Sequence, residues 1–117
     1  MKKKKRKTEG ILVEESSGNV FGDLGRPNPE ERLAKADLGL AIAHEIEGRR
    51  LTQAEAADLL GVAQPDISNL MRGRLSGYSI ERLTRLLNAL GRDVEIRVRR
   101  ARAGARRGHL RVAAGER

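Results

Sequence analysis

The sequence predicts an all-α fold, a bundle of four to five helices followed by one short C-terminal strand that needs a partner chain. Three observations carry this expectation. Apolar residues recur at helical spacing in successive runs between Asn28 and Gly91, and these runs are bounded by capping residues, prolines and glycines. Two of the runs are separated by only three or four residues, so their helices must cross steeply. The segment Asp93-Val94-Glu95-Ile96-Arg97-Val98-Arg99 instead alternates strictly, with three β-branched residues on one face. The chain divides accordingly into a basic arm (1–15), one folded domain (16–92), a pairing strand (93–99) and an Arg-rich tail (100–117).

The arm opens MKKKKRK, a single-sign run that repels itself and buries no apolar area, so it reads as disordered. Ile11–Val13 is a short apolar run compatible with a strand or with loose chain. Residues 16–29, rich in Ser, Gly, Asn and Pro, read as a loop or a short turn of helix, with Val20, Phe21 and Leu24 on one apolar face that pads the outside of the bundle in preference to the alternative, contact with a partner protein. Asn28-Pro29-Glu30-Glu31 then starts the first long helix, with a capping residue, a proline at the first helical position and a Glu three residues after the cap. Leu33, Leu38, Ala41, Ile42 and Ile46 supply its inward face, and Gly48 is the expected stop.

Thr52 and Glu55 form a capping box in which each side chain satisfies an orphan backbone donor of the other, so a second helix begins at Gln53. Ala56, Leu59 and Leu60 share its apolar face. Gly61 ends it in the left-handed conformation that glycine adopts without steric cost. Val62 enters the turn, Pro65 suits the first turn of a third helix, and Ile67, Leu70 and Met71 return to the core. Ala57 sits where the two helices approach closely, where a larger side chain would hold them apart. This is the pattern of a helix-turn-helix.

A loop with two glycines follows over Arg72–Tyr78, where Ser76 and Tyr78 are placed either to organise the loop or to reach a phosphate backbone. Ser79 caps a further helix with Ile80, Leu83, Leu86, Leu87 and Leu90 inward, closed by Gly91. Leu51 and Val62 bridge the helices. The strand at 93–99 cannot satisfy its own backbone groups. Its partner is either the region around Ile11–Val13 or another subunit, and isologous pairing through Val94, Ile96 and Val98 of two copies suits a motif that works on paired half-sites. Addition of a strand by a different partner protein is the competing idea.

On the third helix Gln64, Ser68, Asn69 and Arg72 share the face opposite Ile67 and Leu70. Gln and Asn bond adenine bidentately and Arg does the same for guanine, each good pair discriminating by roughly 1–3 kcal/mol. A solvated polar face is the plain alternative, but the capped helix and glycine turn that precede it favour DNA: Gln64, Ser68 and Asn69 as base-reading groups, Arg72 as a backbone contact. Gln53, beside a helix N-terminus, is placed to bond a phosphate, and Arg74 to clamp another. Asp66 complements the helix dipole rather than reading a base.

The formal net charge of +8 is unevenly spread. Residues 1–10 carry a net +5 and residues 97–117 a net +7, which leaves residues 11–96 at −4. The basic balance therefore comes from the ends and is weak evidence for DNA binding by the domain itself. Both ends are read equally as solubilising extensions or as sources of sequence-independent phosphate attraction. Lys2–Lys7 also has the composition of a nuclear localisation patch. There is no cysteine, hence no disulfide or thiolate metal site, and no run is long and apolar enough to span a bilayer. One Phe and one Tyr argue against a base-stacking platform for single strands. The acids at Glu14, Glu15, Glu30, Glu31, Glu45 and Glu47 are explained by helix starts and solvated faces, and His44 and His109 have no nucleophile or metal partner in the sequence, so neither an enzyme, a metal nor a cofactor is expected.

With Gln53–Leu70 and the placement of Ala57, Gly61 and Ile67, the chain resembles the lambda-repressor-like helix-turn-helix family that includes the XRE-type regulators. The flanks SSGNVFGDLGRPNPEERLAKADL and RGRLSGYSIERLTRLLNALGRDVEIRV are similar to a narrower group, compact HigA-like antitoxins, so the resemblance covers residues 16–98. It implies a cytoplasmic, nucleoid-associated bacterial repressor that binds a palindromic operator in double-stranded DNA as a homodimer. In the antitoxin branch it also implies sequestration of a RelE/HigB-like ribonuclease toxin. A stand-alone phage-type regulator without a toxin is the alternative.

Overall fold

The computed structural model describes residues 28–113, which form four helices: α1 (Pro29–Gly48), α2 (Gln53–Leu60), α3 (Gln64–Met71) and α4 (Ile80–Ala89). The expectations for residues 1–27, including Ile11–Val13 and the face of Val20, Phe21 and Leu24, lie outside the described residues.

Helix α1 starts as its sequence demands. Asn28 is extended, its Oδ1 accepts the Glu31 N–H at 2.7 Å, Pro29 fills the first helical position, and Glu30 and Glu31 face the positive end of the helix dipole. The buried face is Ala34, Lys35, Leu38, Gly39, Ile42 and Ile46. Leu33, expected inward, is 61% exposed. It precedes Ala34 by one residue and so points about 100° away from the row that the core uses. Gly39 leaves room for Leu75, since a Cβ there would come within 2.9 Å of Leu75 Cδ1 and that side chain would have to shift. The helix runs through Gly48, and the left-handed residue that turns the chain is Arg50, with φ of 58°.

Helices α2 and α3 make the tight corner. Both halves of the capping box are formed, Glu55 N–H to Thr52 Oγ1 at 3.0 Å and Thr52 N–H to Glu55 Oε1 at 2.8 Å. Gly61 closes α2 at φ 70° and ψ 32°. Ala56 and Ala57 are buried against α3, which returns Ile67 and Leu70 to the core, and their small side chains let the two backbones approach. Leu59, expected on the apolar face, is about half exposed; Leu60 is the residue that packs against the core.

Ser79 caps α4 by accepting the Arg82 N–H at 3.0 Å, and Leu83, Leu86 and Leu87 enter the core, where α4 packs on α1, followed by Leu90 just beyond the helix. Ile42, Ile46, Ile67, Leu83 and Leu90 are the largest fully enclosed side chains. Each contributes on the order of 1.5–3 kcal/mol relative to an exposed position.

Past Gly91, the expected strand over 93–99 is not formed, and no strand occurs among the described residues. Val94 rests against the core, whereas Ile96 and Val98 are 83% and 91% exposed. The reason is the one that made the segment conspicuous. A lone strand leaves its N–H and C=O groups without a ladder, and the described part of a single chain offers no edge for it to join. Residues 100–113 carry no regular element either, but they run back to the start of α1. There Glu30 Oε1 accepts the Leu110 N–H at 3.2 Å, Glu30 Oε2 meets His109 Nδ1, and Arg107 lies 3.8 Å from Glu30. Val112 packs against the core.

Candidate nucleic-acid interface

The corner made by α2 and α3 leaves one ridge uncovered. Gln64 and Asn69 on α3 are exposed, Ser68 between them is half-buried, and Arg72 follows at the helix end, also exposed. Their placement follows from the opposite side of the same helix, because burying Ile67 and Leu70 turns positions 64, 68, 69 and 72 outward. Among the described residues, no intramolecular hydrogen bond engages the side chain of Gln64, Ser68, Asn69 or Arg72, so their donors and acceptors stay available to a ligand. Gln53 lies exposed in the first turn of α2, and Arg74 lies exposed beyond α3, where its N–H bonds the Asn69 carbonyl at 2.8 Å.

Helix α3 itself is held from behind by two residues, both through Asp66. Tyr78 Oη donates to the Asp66 carbonyl at 2.8 Å, Arg82 Nη2 bonds Asp66 Oδ2 at 3.1 Å, and the Arg82 guanidinium lies over the Tyr78 ring, 4.7 Å from its centroid. Tyr78 is buried, and burial pushes its phenol above the usual tyrosine range, so it remains a protonated donor at neutral pH. The alternative role for Tyr78, as a donor to phosphate, is removed by that bond. Asp66 therefore does two things: it sits in the first turn of α3, where negative charge is favoured, and it ties that turn to α4. Sequence spacing did not reveal this brace, since its partners lie 12 and 16 residues from Asp66 and belong to different elements.

At the C-terminal end of α1 two arginines gather around one carboxylate. Arg49 and Arg92 both pair with Glu45, at 3.8 and 3.4 Å, and an Arg49 N–H bonds the Leu90 carbonyl. The ends of α1 and α4 are thereby fastened just before Gln53, which fixes the entry into α2.

Residues 20–99 match the family described as Helix-turn-helix domain. A solved structure whose name places it among XRE family transcriptional regulators is 43% identical, with a TM-score of 0.71, and the match covers 76% of this chain and 100% of that one. The chain belongs to the XRE family of helix-turn-helix regulators. No curated protein matches it. Within this XRE-type regulator the family match stops at residue 99, so the segment that returns to Glu30 lies outside it. No described helix is long and apolar enough to cross a membrane.

Proposed function

We propose that this XRE-type regulator is a sequence-specific repressor in which α3 enters the major groove. Gln64, Ser68 and Asn69 read base edges, while Gln53, Arg72 and Arg74 hold the sugar-phosphate backbone. The observation that carries this reading is the polar ridge of α3, whose side chains have no hydrogen-bond partner among the described residues, on a corner whose other side is locked into the core. Gln53 supports it from α2, with an amide beside a helix N-terminus that already favours an anion.

The working form is a homodimer. Val94, Ile96 and Val98 of one copy pair with the same residues of another, which supplies the missing ladder and covers Ile96 and Val98, two of the most exposed apolar side chains in the described chain. Two copies then present two recognition helices to half-sites about one DNA turn apart. The resemblance of the flanking segments to compact HigA-like antitoxins supports a further role, sequestering a RelE/HigB-like ribonuclease encoded next to it.

Affinity selection of random duplexes with the purified protein tests the DNA reading. It is expected to return a palindrome with two half-sites roughly ten base pairs apart, and recovery of unrelated sequences without a shared motif defeats it. Co-purification with the product of an adjacent small basic reading frame tests the antitoxin role. Absence of any complex at micromolar concentrations leaves a stand-alone phage-type regulator.

A further inference from the structure

We infer that residues 99–111 form a phosphate-binding strap on duplex DNA, separate from the helix-turn-helix and anchored to the body by Glu30. The inference rests on the DNA-binding reading above and adds a second contact surface to it. Three observations carry it. From Arg97 to Ala113 the chain holds seven arginines and no acidic residue, whereas residues 11–96 are net acidic. Among the described residues only two of the seven meet a carboxylate, Arg97 with Glu95 at 3.3 Å and Arg107 with Glu30 at 3.8 Å. Arg99, Arg100, Arg102, Arg106 and Arg111 are exposed and have no ionic partner there.

The segment is also tied down rather than trailing. It leaves the bundle at Gly91, where a Cβ would lie 3.4 Å from the Arg49 guanidinium, four residues before Gln53. It rejoins the bundle at Glu30, where His109, Leu110 and Arg107 converge, and Val112 then packs against the core. Between Glu30 and Arg49, α1 spans about 28 Å at 1.5 Å per residue, and the 17 residues from Arg92 to Gly108 cross that distance with slack. The turn at Arg102–Ala105, with Gly104 at φ 86°, takes up part of it. The first arginines thus depart from the same end of the bundle as Gln53, the backbone contact of α2. Duplex DNA, with one negative charge per ~1.7 Å of axis, is the partner that a row of exposed guanidinium groups without a carboxylate among the described residues fits. Such contacts carry no base information, so the strap adds affinity and salt dependence without preference.

The test is a salt titration of binding by fluorescence anisotropy, on the selected duplex and on a random one. The intact protein is compared with a variant carrying R99Q, R100Q, R102Q, R106Q and R111Q; these side chains are exposed, and circular dichroism of the variant checks that the helices persist. The variant is expected to weaken on both duplexes by the same factor, and its plot of log affinity against log salt should be shallower by about 0.9 for each phosphate no longer neutralised, hence by roughly 4 to 5 for the five arginines. A slope within about one unit of the parent's overturns the strap. If the intact protein itself shows no preference between the two duplexes, the reading of α3 fails instead, and the strap is judged by the slope alone. The anchor is tested by Glu30→Gln without DNA. Tryptic cleavage within 99–111 should accelerate several-fold, and an unchanged rate overturns the role given to Glu30.

Discussion

Gln64 and Arg74 carry the two halves of the proposed DNA contact, base reading and backbone holding, and substitution separates them. Gln64→Ala should relax the base preference at one operator position, at a cost of about 1–3 kcal/mol on the selected duplex and little on random DNA. Arg74→Ala should weaken both duplexes alike and flatten the salt dependence by the equivalent of about one phosphate. Equal losses on both duplexes from the two changes count against the assignment. Behind the ridge, Tyr78→Phe leaves the Arg82 stacking in place and removes the bond to the Asp66 carbonyl. It should lower stability by about 1 kcal/mol, read from urea denaturation. Thr52→Ala breaks the capping box at the start of α2 and should cost about as much by the same measurement.

Among the elements, α2 and α3 were the most legible, because caps, a glycine stop and close helical spacing are local signals that packing did not override. The inward side of α1 was legible only in part. An apolar residue such as Leu33 satisfies a helical pattern whether or not its azimuth matches the core, and only the partner surface decides. Leu59 on α2 is the same case. The brace of Asp66, Tyr78 and Arg82 and the anchor at Glu30 leave no periodic trace, since each joins residues far apart in sequence. For the anchor the chemistry predicts a pH dependence. The bond from His109 leads the effects that hold the Glu30 carboxyl below its usual 4.5, with Leu110, the charge on His109 and Arg107 adding to it and burial opposing. A carboxylate lowered in the folded state adds stability above its ordinary value, and that contribution is lost as the pH falls through the lowered one. The Leu110 amide resonance should therefore titrate with a midpoint below 4.5. A midpoint at or above 4.5 removes the ionic part of the anchor.

For the molecule as a whole, the decisive quantity is the number of copies. Val98→Glu combined with Ile96→Glu places like charges opposite each other across an isologous strand pair and should shift sedimentation from dimer to monomer, with operator affinity falling as the half-sites are uncoupled. Helical content should stay the same, because neither side chain contributes to the core. If the double variant sediments as the parent does, the pairing strand is not the dimer contact. The sequence made the alternation at 93–99 visible but could not form the strand alone. A ladder is a property of two segments, and the described chain supplies one.

The division of labour on α3 has a consequence for how such a protein can diversify. Ile67 and Leu70 face inward, while Asp66 is engaged by Tyr78 and Arg82, so folding and docking of the helix are settled by residues other than Gln64, Ser68 and Asn69, the proposed base readers. Positions 64, 68 and 69 can then be rewritten almost as a text on a fixed page. A library randomised at these three sites should yield proteins that keep the parent's melting temperature while recognising new operators, so that lineages sharing this scaffold can drift apart into mutually deaf switches.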